Sequence, residues 1–502
     1  ASALSVDTVS SGDAGNLVIN TEQLNVTDGG NVFAGTRGEG NGGSLTVYAS
    51  ESINVIGKNQ LGNNFSIITS ATENEGSGAG GNVFLATPYL RVAEGGSISA
   101  ATFASGNGGN IEVQANLVEV SDAAIDFAGV LNGIVTFVAP ESFDVDGDVL
   151  PAAIGDGGNI TLNANQLMIS RGGQIDSSTF GSGAAGNLDL NVETVTLSGI
   201  SDVLEDGTQI SSRIVSMSET DGAAGTITIQ GDTLTVQDGA EINVSNSSMG
   251  DAGNLNVLFN TVRLDRQGQL LAEVNGGKQG NINVTATELL LLRRGSSITT
   301  NATNTSTGGN IVIDAPIILG IPEENSDIVA NAMAGNGGTI TIQTQGLFGL
   351  EFRDRTTPKS DITVSSDLGI DGTVTIARPS TDVTSDTLEL PETFQDASNQ
   401  IATNCLPGDN TLLLTGRGGM PHSATTLHSD SPWIDRRLPT NMELSSPELL
   451  PVPNNRSPLS PLEAWQEATD MEITPDGTVQ LLSPVAHQPN NPTCVDQHAR
   501  PL

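Results

Sequence analysis

The fold is decided by the stretch Gly106-Asn-Gly-Gly-Asn-Ile-Glu-Val-Gln-Ala-Asn-Leu-Val-Glu-Val120, because much of the chain repeats its pattern. A Gly-Gly pair, or a close variant, precedes one polar residue and then alternating aliphatic residues. The polar marker recurs about every 28 residues, with longer gaps at three or four places. Periods of this size are typical of solenoids and other repeat arrays. The twelve markers are Asn16, Ser44, Asn82, Asn110, Asn159, Asn187, Thr226, Asn254, Asn281, Asn310, Thr339 and Thr373.

The apolar positions predict what one repeat looks like. The first and third residues after every marker are aliphatic, as in Ile160 and Leu162. A two-residue alternation places both on one face of a β-strand. A second pair, such as Leu167 and Ile169, begins about eight residues after the marker, and a glycine turn leads to a third strand at Ile175. Three strands of about five residues with three short turns use about 27 residues.

Such repeats bury their inward side chains by stacking, each strand in parallel with its counterpart one turn later. The sequence therefore predicts an all-β, single-stranded parallel β-helix of about 12 turns of about 28 residues, with three strands per turn. A leucine-rich repeat has a similar period but returns through a helix. A propeller blade needs about 40 residues. Neither alternative fits as well.

The marker asparagines have a structural interpretation. Asparagine tolerates a left-handed backbone after Gly-Gly, and stacked amides form hydrogen-bonded ladders. We therefore predict a structural ladder, and a ligand-binding role is the alternative. Its members are Asn16, Asn82, Asn110, Asn159, Asn187, Asn254, Asn281 and Asn310.

The composition restricts the partners. The 502 residues carry 58 acidic and 19 basic side chains, a net charge of −39, and only 3% aromatic residues. Such a chain repels phosphate backbones and anionic lipids, so we expect neither nucleic-acid binding nor electrostatic membrane docking. The apolar runs are shorter than the roughly 18 residues of a membrane span, so we expect no membrane insertion. The negative charge fits solubility, and diffuse binding of divalent cations is the alternative.

Three insertions interrupt the repeat, and loops often carry function. The longest contains Asp144, Asp146 and Asp148, whose alternate carboxylates resemble part of a calcium loop. The glycine and the final glutamate of such a loop are out of place, which favours a solvated acidic turn. The insertions span about residues 57–76, 129–156 and 199–209.

The composition changes near residue 380, where glycine becomes rare and proline common. A candidate hairpin near the end has strands around Met471 and Val479, with a turn at Asp476-Gly477. The predicted organisation is a β-helix at 1–380, a C-terminal segment at 381–438, a proline-rich linker at 439–461 and a hairpin with a tail at 462–502.

Several segments resemble the C-terminal region of filamentous-haemagglutinin-like exoproteins of two-partner secretion, of a subtype common in photosynthetic bacteria. The resemblance covers nearly the whole chain, and residues 360–437 are its most specific part. Besides the glycine-asparagine repeats, the matching segments are Ser360-Asp-Ile-Thr-Val-Ser-Ser-Asp-Leu-Gly-Ile-Asp-Gly-Thr-Val-Thr-Ile376, Leu388-Glu-Leu-Pro391, Ala397-Ser-Asn-Gln-Ile-Ala402 with Cys405, and Thr415-Gly-Arg-Gly-Gly419 with Trp433-Ile-Asp435.

This resemblance implies a right-handed β-helix that is exported through an outer-membrane β-barrel transporter. The protein would then be an adhesin, secreted or displayed on the extracellular face of the outer membrane, with a cell-surface glycan or protein as receptor. Family members carry an N-terminal secretion domain, and residues 1–50 show no counterpart, so we expect the chain to be a downstream segment of a longer exoprotein.

In such an oxidising location, two cysteines favour a disulfide between Cys405 and Cys494, with two free thiols as the alternative. Metal binding by these cysteines with His422 or His428 is a weaker alternative, because no short ligand spacing is present. If the disulfide forms, reduction should loosen residues 400–502 and leave the β-helix intact.

An enzyme is the main alternative function, because parallel β-helices include polysaccharide lyases and hydrolases. The sequence shows no cluster of acidic, basic and aromatic residues, although carboxylates from different turns could still meet. We therefore expect no enzymatic activity and no cofactor. A cation-binding extracellular matrix protein is the third possibility.

Overall fold

The computed structural model describes residues 2–377, except 60–63, 73–76, 104, 125–132, 140, 144–148, 151 and 205–206, and two strands at 470–473 and 479–482. The chain divides into two units, residues 1–390 and 391–502. The first unit contains a parallel β-helix, which confirms the predicted fold. In the second unit, Asp470–Ile473 and Val479–Leu482 pair in antiparallel fashion, as expected for the candidate hairpin.

The larger sheet of the solenoid is formed by the segments that follow the markers. Equivalent residues of successive turns lie side by side, so that Ile160 pairs with Ile111 and Leu188 in parallel register. The sheet contains Leu17–Thr27, Leu45–Ile56, Val83–Ala93, Ile111–Ser121, Ile160–Ser170, Leu188–Ser198, Ile227–Gln230, Thr233–Gln237, Asn254–Asp265, Asn281–Leu292, Asn310–Asp314, Ile317–Leu319, Thr339–Gln343, Gly346–Phe348 and Thr373–Ala377.

The second sheet is built from short strands, one per turn with one addition near its end. Its strands are Ala3–Ser5, Asn31–Phe33, Ile67–Thr69, Ser97–Ser99, Ile134–Val135, Gln174–Asp176, Arg213–Val215, Glu241–Asn243, Gln269–Leu271, Ser297–Thr299, Asp327–Val329, Glu351–Phe352 and Asp361–Thr363. Single-residue parallel bridges form a further row, from Thr8 with Thr36 to Ala332 with Ser366. A short 3₁₀-helix spans Pro322–Glu324.

The division of each turn into strands differs from the prediction in one respect. In eight turns, the first two predicted strands are one continuous strand of 11 or 12 residues, such as Val83–Ala93. They are separate in three turns, for example at Ile227–Gln230 and Thr233–Gln237. The continuous strands bend where a turn was expected, because hydrogen bonding between turns continues on both sides of the bend.

The main core is a continuous column of largely aliphatic side chains, and two smaller buried clusters lie around Phe137 and Val274. The predicted inward residues Ile160, Leu162, Leu167, Ile169 and Ile175 are all completely buried. Burial of each such side chain is worth about 1.5–3 kcal/mol. Since every turn repeats this pattern, each turn covers the apolar face of the next.

From Gly43 onward, the glycine directly before each marker is required by the close approach of successive turns. A Cβ atom on Gly158 would lie 1.8 Å from the carbonyl oxygen of Gly109, the equivalent glycine one turn earlier. The same contact would be 2.0 Å at Gly81 and 1.9 Å at Gly186 and Gly225. These glycines do not have positive φ angles. Their role is therefore steric.

Two of the predicted insertions begin and end differently from expectation. Residues 57–76 contain the short strand Ile67–Thr69, and residues 129–156 contain Ile134–Val135. Ile68 and Ile134 are completely buried, so these strands belong to the core. The third insertion leaves the solenoid through an antiparallel bridge between Ile200 and Ser211.

Candidate functional site

The marker asparagines form hydrogen-bonded ladders on the outer surface. From Asn82 to Asn187, the side-chain oxygen of one asparagine accepts a hydrogen bond of 2.8–2.9 Å from the backbone N–H of the next. From Asn254 to Asn310, each amide nitrogen donates to the side-chain oxygen one turn earlier, at 2.7 and 2.8 Å. Asn16 accepts from the next marker's N–H at 2.9 Å. These hydrogen bonds connect neighbouring turns.

The expected left-handed backbone at the marker asparagines is wrong. Positive φ angles occur instead at the end of the long strands, for example 54° at Glu94 and 58° at Asp238. Each is followed by a glycine that also has positive φ, 87° at Gly95 and 80° at Gly239. The tight turn into the short strand requires this conformation. The marker asparagines lie at the start of extended strands, where it is not needed.

Several predicted site residues lie outside the described part of the chain. These are Cys405 and Cys494 of the predicted disulfide and the carboxylates of Asp144, Asp146 and Asp148. Among the residues that the structure does describe, no group of three or more His, Cys, Asp or Glu side chains could hold a metal ion. No helix in that same part of the chain is long and apolar enough to cross a membrane.

The bend in the long strands creates the main surface feature. In Val83–Ala93, the side chains of Leu85 and Thr87 are buried before the bend, and those of Leu90 and Val92 after it. The step from Thr87 to Leu90 breaks the two-residue alternation, so the strand changes direction there. Because the strands are in register up to the bend, the bends align into a depression along the sheet, and the register shifts at the bend on both sides of Leu45–Ile56.

We call the depression across the first five turns the lateral groove. It has a volume of about 720 Å³ and is open to solvent. Its lining contains amides, hydroxyls, a phenol ring, a proline and small apolar side chains, with no charged side chain. The lining residues are Asn20, Thr21, Tyr48, Ala49, Ser50, Ala86, Thr87, Pro88, Gln114, Ala115, Asn116 and Asn163.

A second depression of about 650 Å³ lies on the same bend in the last turns. It contains Pro316 and several threonine and glutamine side chains, and Asp314 is its charged lining residue. Next to the second depression, the Asn260 amide donates to Asp232 at 2.5 Å, and its oxygen accepts from Thr287, a lining residue of that depression, at 2.6 Å. These side-chain hydrogen bonds connect three successive turns at the bend.

Both tyrosines of the chain lie on the groove side of the long sheet. The Tyr48 side chain is 48% exposed, and its ring centroid lies 5.6 Å from that of Phe84, with an angle of 56° between the ring planes. Tyr89 donates its hydroxyl hydrogen to Glu119. Burial, together with this hydrogen bond and the charge of Glu119, raises the pKa of Tyr89 to about 12. Tyr89 is thus held by its neighbour, whereas Tyr48 presents its ring to solvent.

The amides of the groove differ in how far they are already engaged. Gln114 donates to Glu112 at 2.8 Å, and the Thr87 hydroxyl donates to the Tyr89 carbonyl at 3.2 Å. Asn20 and Asn116 are exposed, and neither side chain hydrogen-bonds another residue in the described part of the chain. These two amides can therefore bind a ligand without breaking an internal hydrogen bond.

The strongest electrostatic feature lies at the end of the long strands, around the completely buried carboxylate of Asp265. Arg294 donates two hydrogen bonds to it, at 2.8 and 2.5 Å, and Arg263 donates one at 2.5 Å. Burial raises the pKa of Asp265, but the hydrogen bonds and charges of these arginines outweigh burial and hold it well below its usual range. This carboxylate is therefore a structural ion-pair partner and is unsuited to proton transfer near neutral pH.

Two other carboxyl groups have raised pKa values. Burial raises the pKa of Glu273, and the charge of Glu241 adds to this effect against a hydrogen bond from Asn301. Burial also raises the pKa of Asp327, together with the charge of Asp361. Neither Glu273 nor Asp327 lines either depression of the bend.

The lateral groove was not predicted from the sequence. Two aromatic residues could have indicated it, because Tyr48 and Phe84 occupy outward positions of adjacent turns in the alternating pattern. Their proximity depends on the bend, which the repeat alone did not predict.

No family model, curated protein or solved structure matches this chain.

Proposed function

We propose that the protein is a secreted or surface-displayed adhesin or structural exoprotein. It uses a stiff parallel β-helix to present a binding surface away from the cell. The proposal has two sources, the resemblance described above and the lateral groove. The groove is the observation that carries the binding role, since it offers an exposed ring and free amides on a regular scaffold.

The architecture suits display because its stability is local. Every turn contacts its neighbours through in-register strands, so a solenoid can grow without a larger globular core. The asparagine ladders add contacts between turns on the surface. A long, repetitive scaffold of this kind supports a binding face that extends over several turns.

We also propose that the protein is exported through an outer-membrane β-barrel transporter, which would be its partner in secretion. A solenoid can fold turn by turn after emerging from a pore, because each turn needs only the preceding one. Protease treatment of intact cells should then digest the protein, while a periplasmic marker stays intact. Protection of the protein in intact cells, with digestion after lysis, would contradict surface display.

The binding role is tested with the purified protein on an array of cell-surface glycans and immobilised host-cell and bacterial surfaces. We expect saturable binding to at least one surface, which unlabelled protein competes away. If the protein binds none of these surfaces saturably, the adhesin function is refuted.

An enzymatic role is the second candidate, and one observation favours it. Burial raises the pKa of Glu273, with a smaller contribution from the charge of Glu241, and a raised pKa is one requirement of a general acid. Incubation with polysaccharides, followed by measurement of new reducing ends and of unsaturated products, tests this role. Product formation that is lost in Glu273→Gln would favour the enzyme.

A further inference from the structure

We infer that the lateral groove binds an uncharged polysaccharide strand that lies parallel to the solenoid axis, with the Tyr48 ring as its stacking platform. This inference rests on the proposed binding function and specifies its ligand. Three observations support it: the lining has no charged side chain, the Tyr48 ring is exposed, and polar groups form a row along the groove.

The charge of the groove is unusual for this chain. The protein has 58 acidic side chains, yet none is among the twelve residues that line the groove. A cationic peptide would find no carboxylate among the lining residues, and the Glu112 and Glu51 carboxylates beside the groove already accept hydrogen bonds from Gln114 and Gln23. An anionic polysaccharide would find no arginine or lysine there and would be repelled by the net charge of −39. An uncharged ligand avoids both penalties.

The exposed ring provides an apolar platform. In-register pairing places Asn20 on one side of Tyr48 and Ala86 on the other. Since alanine is short, it leaves the ring accessible along the groove, and Phe84 supports the ring from the neighbouring turn. Pyranose rings have apolar C–H faces, and an aromatic ring buries such faces efficiently. Pro88, which is also exposed, extends the apolar surface.

The polar groups form a row with the spacing of the strands. Asn20, Tyr48, Ala86, Gln114 and Asn163 occupy equivalent positions in five successive turns, and four of the five carry a polar group. At a strand spacing of about 4.8 Å the row spans about 19 Å, which suits several linked sugar rings. Each side-chain amide offers two donors and an acceptor, which match neighbouring sugar hydroxyls. The row runs along the solenoid axis, so an extended chain in that direction meets a polar group in four of the five turns, and Ala86 leaves room beside the Tyr48 ring.

A lipid or an apolar peptide fits less well. The groove is shallow, and amides and hydroxyls alternate with its small apolar side chains. Burial of the free Asn20 and Asn116 amides against an apolar ligand would leave their polar groups unpaired, which is unfavourable. Strand addition is also unsuitable for a ligand that runs along the groove, because the lining strands from Leu45–Ile56 to Ile160–Ser170 already pair on both sides and only Leu17–Thr27 lies at the edge of the sheet.

The test measures binding of the full chain to cellohexaose, maltohexaose, mannohexaose and heparin by isothermal titration calorimetry. We expect binding of at least one neutral hexasaccharide, with an affinity that changes less than about twofold between 50 and 500 mM salt. Tyr48→Ala should weaken that binding by at least about tenfold. Tyr48→Phe, which keeps the ring, should stay within about threefold of the wild type.

Two further variants complete the design. Asn116→Ala should weaken binding by about threefold to tenfold through loss of its hydrogen bonds. Tyr89→Phe is the matched control, because Tyr89 donates to Glu119 and does not line the groove, and it should bind like the wild type. Unchanged melting curves of the variants would show that the fold is intact.

Equal binding by Tyr48→Ala and the wild type would overturn this inference, as would salt-sensitive binding of heparin alone. If the wild type binds cell surfaces but none of the neutral hexasaccharides, the ligand is wrong while the adhesin function stands. If it binds neither the surfaces nor the hexasaccharides, both proposals fail.

Discussion

The steric role of the marker glycines gives the sharpest test of the fold, through the substitution Gly158→Ala. The added Cβ would lie 1.8 Å from the carbonyl oxygen of Gly109, whereas real Cβ contacts are essentially never below 3.0 Å. The two turns would therefore have to separate locally by about 1.2 Å. Backbone atoms oppose this movement on both sides, since the glycine lies inside a stack of parallel turns.

The cost follows from the hydrogen bonds that such a separation breaks. The N–H of Ile111 donates to the Asn159 carbonyl at 2.9 Å, and the N–H of Asn159 donates to the Asn110 side chain at 2.9 Å. An increase of about 1.2 Å would take both beyond hydrogen-bonding distance. Each lost bond costs about 0.5–1.5 kcal/mol, and more if the group stays buried and unpaired. Gly158→Ala should therefore destabilise the solenoid by about 2–5 kcal/mol.

Two control substitutions separate sterics from backbone conformation. A Cβ on Gly12 meets nothing within 4 Å, and Gly12 does not have a positive φ, so Gly12→Ala should be neutral to within about 0.5 kcal/mol. Gly57 has a φ of 78° but open space, so Gly57→Ala should cost about 1 kcal/mol. The assays are urea unfolding followed by circular dichroism, and hydrogen exchange of the Ile111 amide, which should accelerate at least about 30-fold in Gly158→Ala. Equal urea midpoints for Gly158→Ala and Gly12→Ala would refute the steric explanation.

Three further predictions concern the core, the buried ion pair and the tyrosines. Ile282→Asp should cost about 4 kcal/mol or more by burying an unpaired charge, whereas Asn283→Asp on the exposed face should cost about 1 kcal/mol or less in the same urea assay. Asp265→Asn should cost about 2–4 kcal/mol at neutral pH. Because the folded pKa of Asp265 is depressed, its contribution is present above its unfolded pKa of about 4 and is lost as pH falls, so the variant should lose less stability on acidification than the wild type. In Tyr48→Phe, the remaining tyrosine, Tyr89, should ionise near pH 12 in a spectrophotometric titration. Since the folded pKa of Tyr89 is raised, its contribution to stability is lost as the pH rises through that value. Ionisation near pH 10 would contradict the Tyr89 hydrogen bond.

The repeat was sufficient to predict the solenoid, because period and alternation are local properties of a sequence. A marker about every 28 residues requires one turn per repeat, and inward positions such as Ile160 and Leu167 follow from the two-residue alternation. The hairpin strands at Asp470–Ile473 and Val479–Leu482 were likewise readable from a short apolar pattern around Asp-Gly. The predictions for Cys405 and Cys494 concern residues outside the described part of the chain.

The positions of the marker glycines and asparagines were easier to predict than the physical reason for them. The Gly-Gly-Asn pattern suggested a left-handed backbone at the asparagine, whereas the glycine is required at Gly158 because the carbonyl of the preceding turn excludes a side chain. The left-handed residues lie instead at turns such as Glu94-Gly95, where the long strand ends. A sequence records that a side chain is absent, and only contacts between turns show whether conformation or space is the cause.

The sequence by itself determined the class of fold, the number of turns and the column of buried aliphatic residues, since each depends on spacing along the chain. The tertiary structure alone decided the bend in the long strands, the groove that the aligned bends create and the pairing of Asp265 with Arg294 of the next turn. The physical reason is that a groove or an ion-pair cluster joins residues about one turn or more apart. Their side-chain directions depend on where the strand bends, and a one-residue change in alternation, as between Thr87 and Leu90, moves every later side chain to the other face.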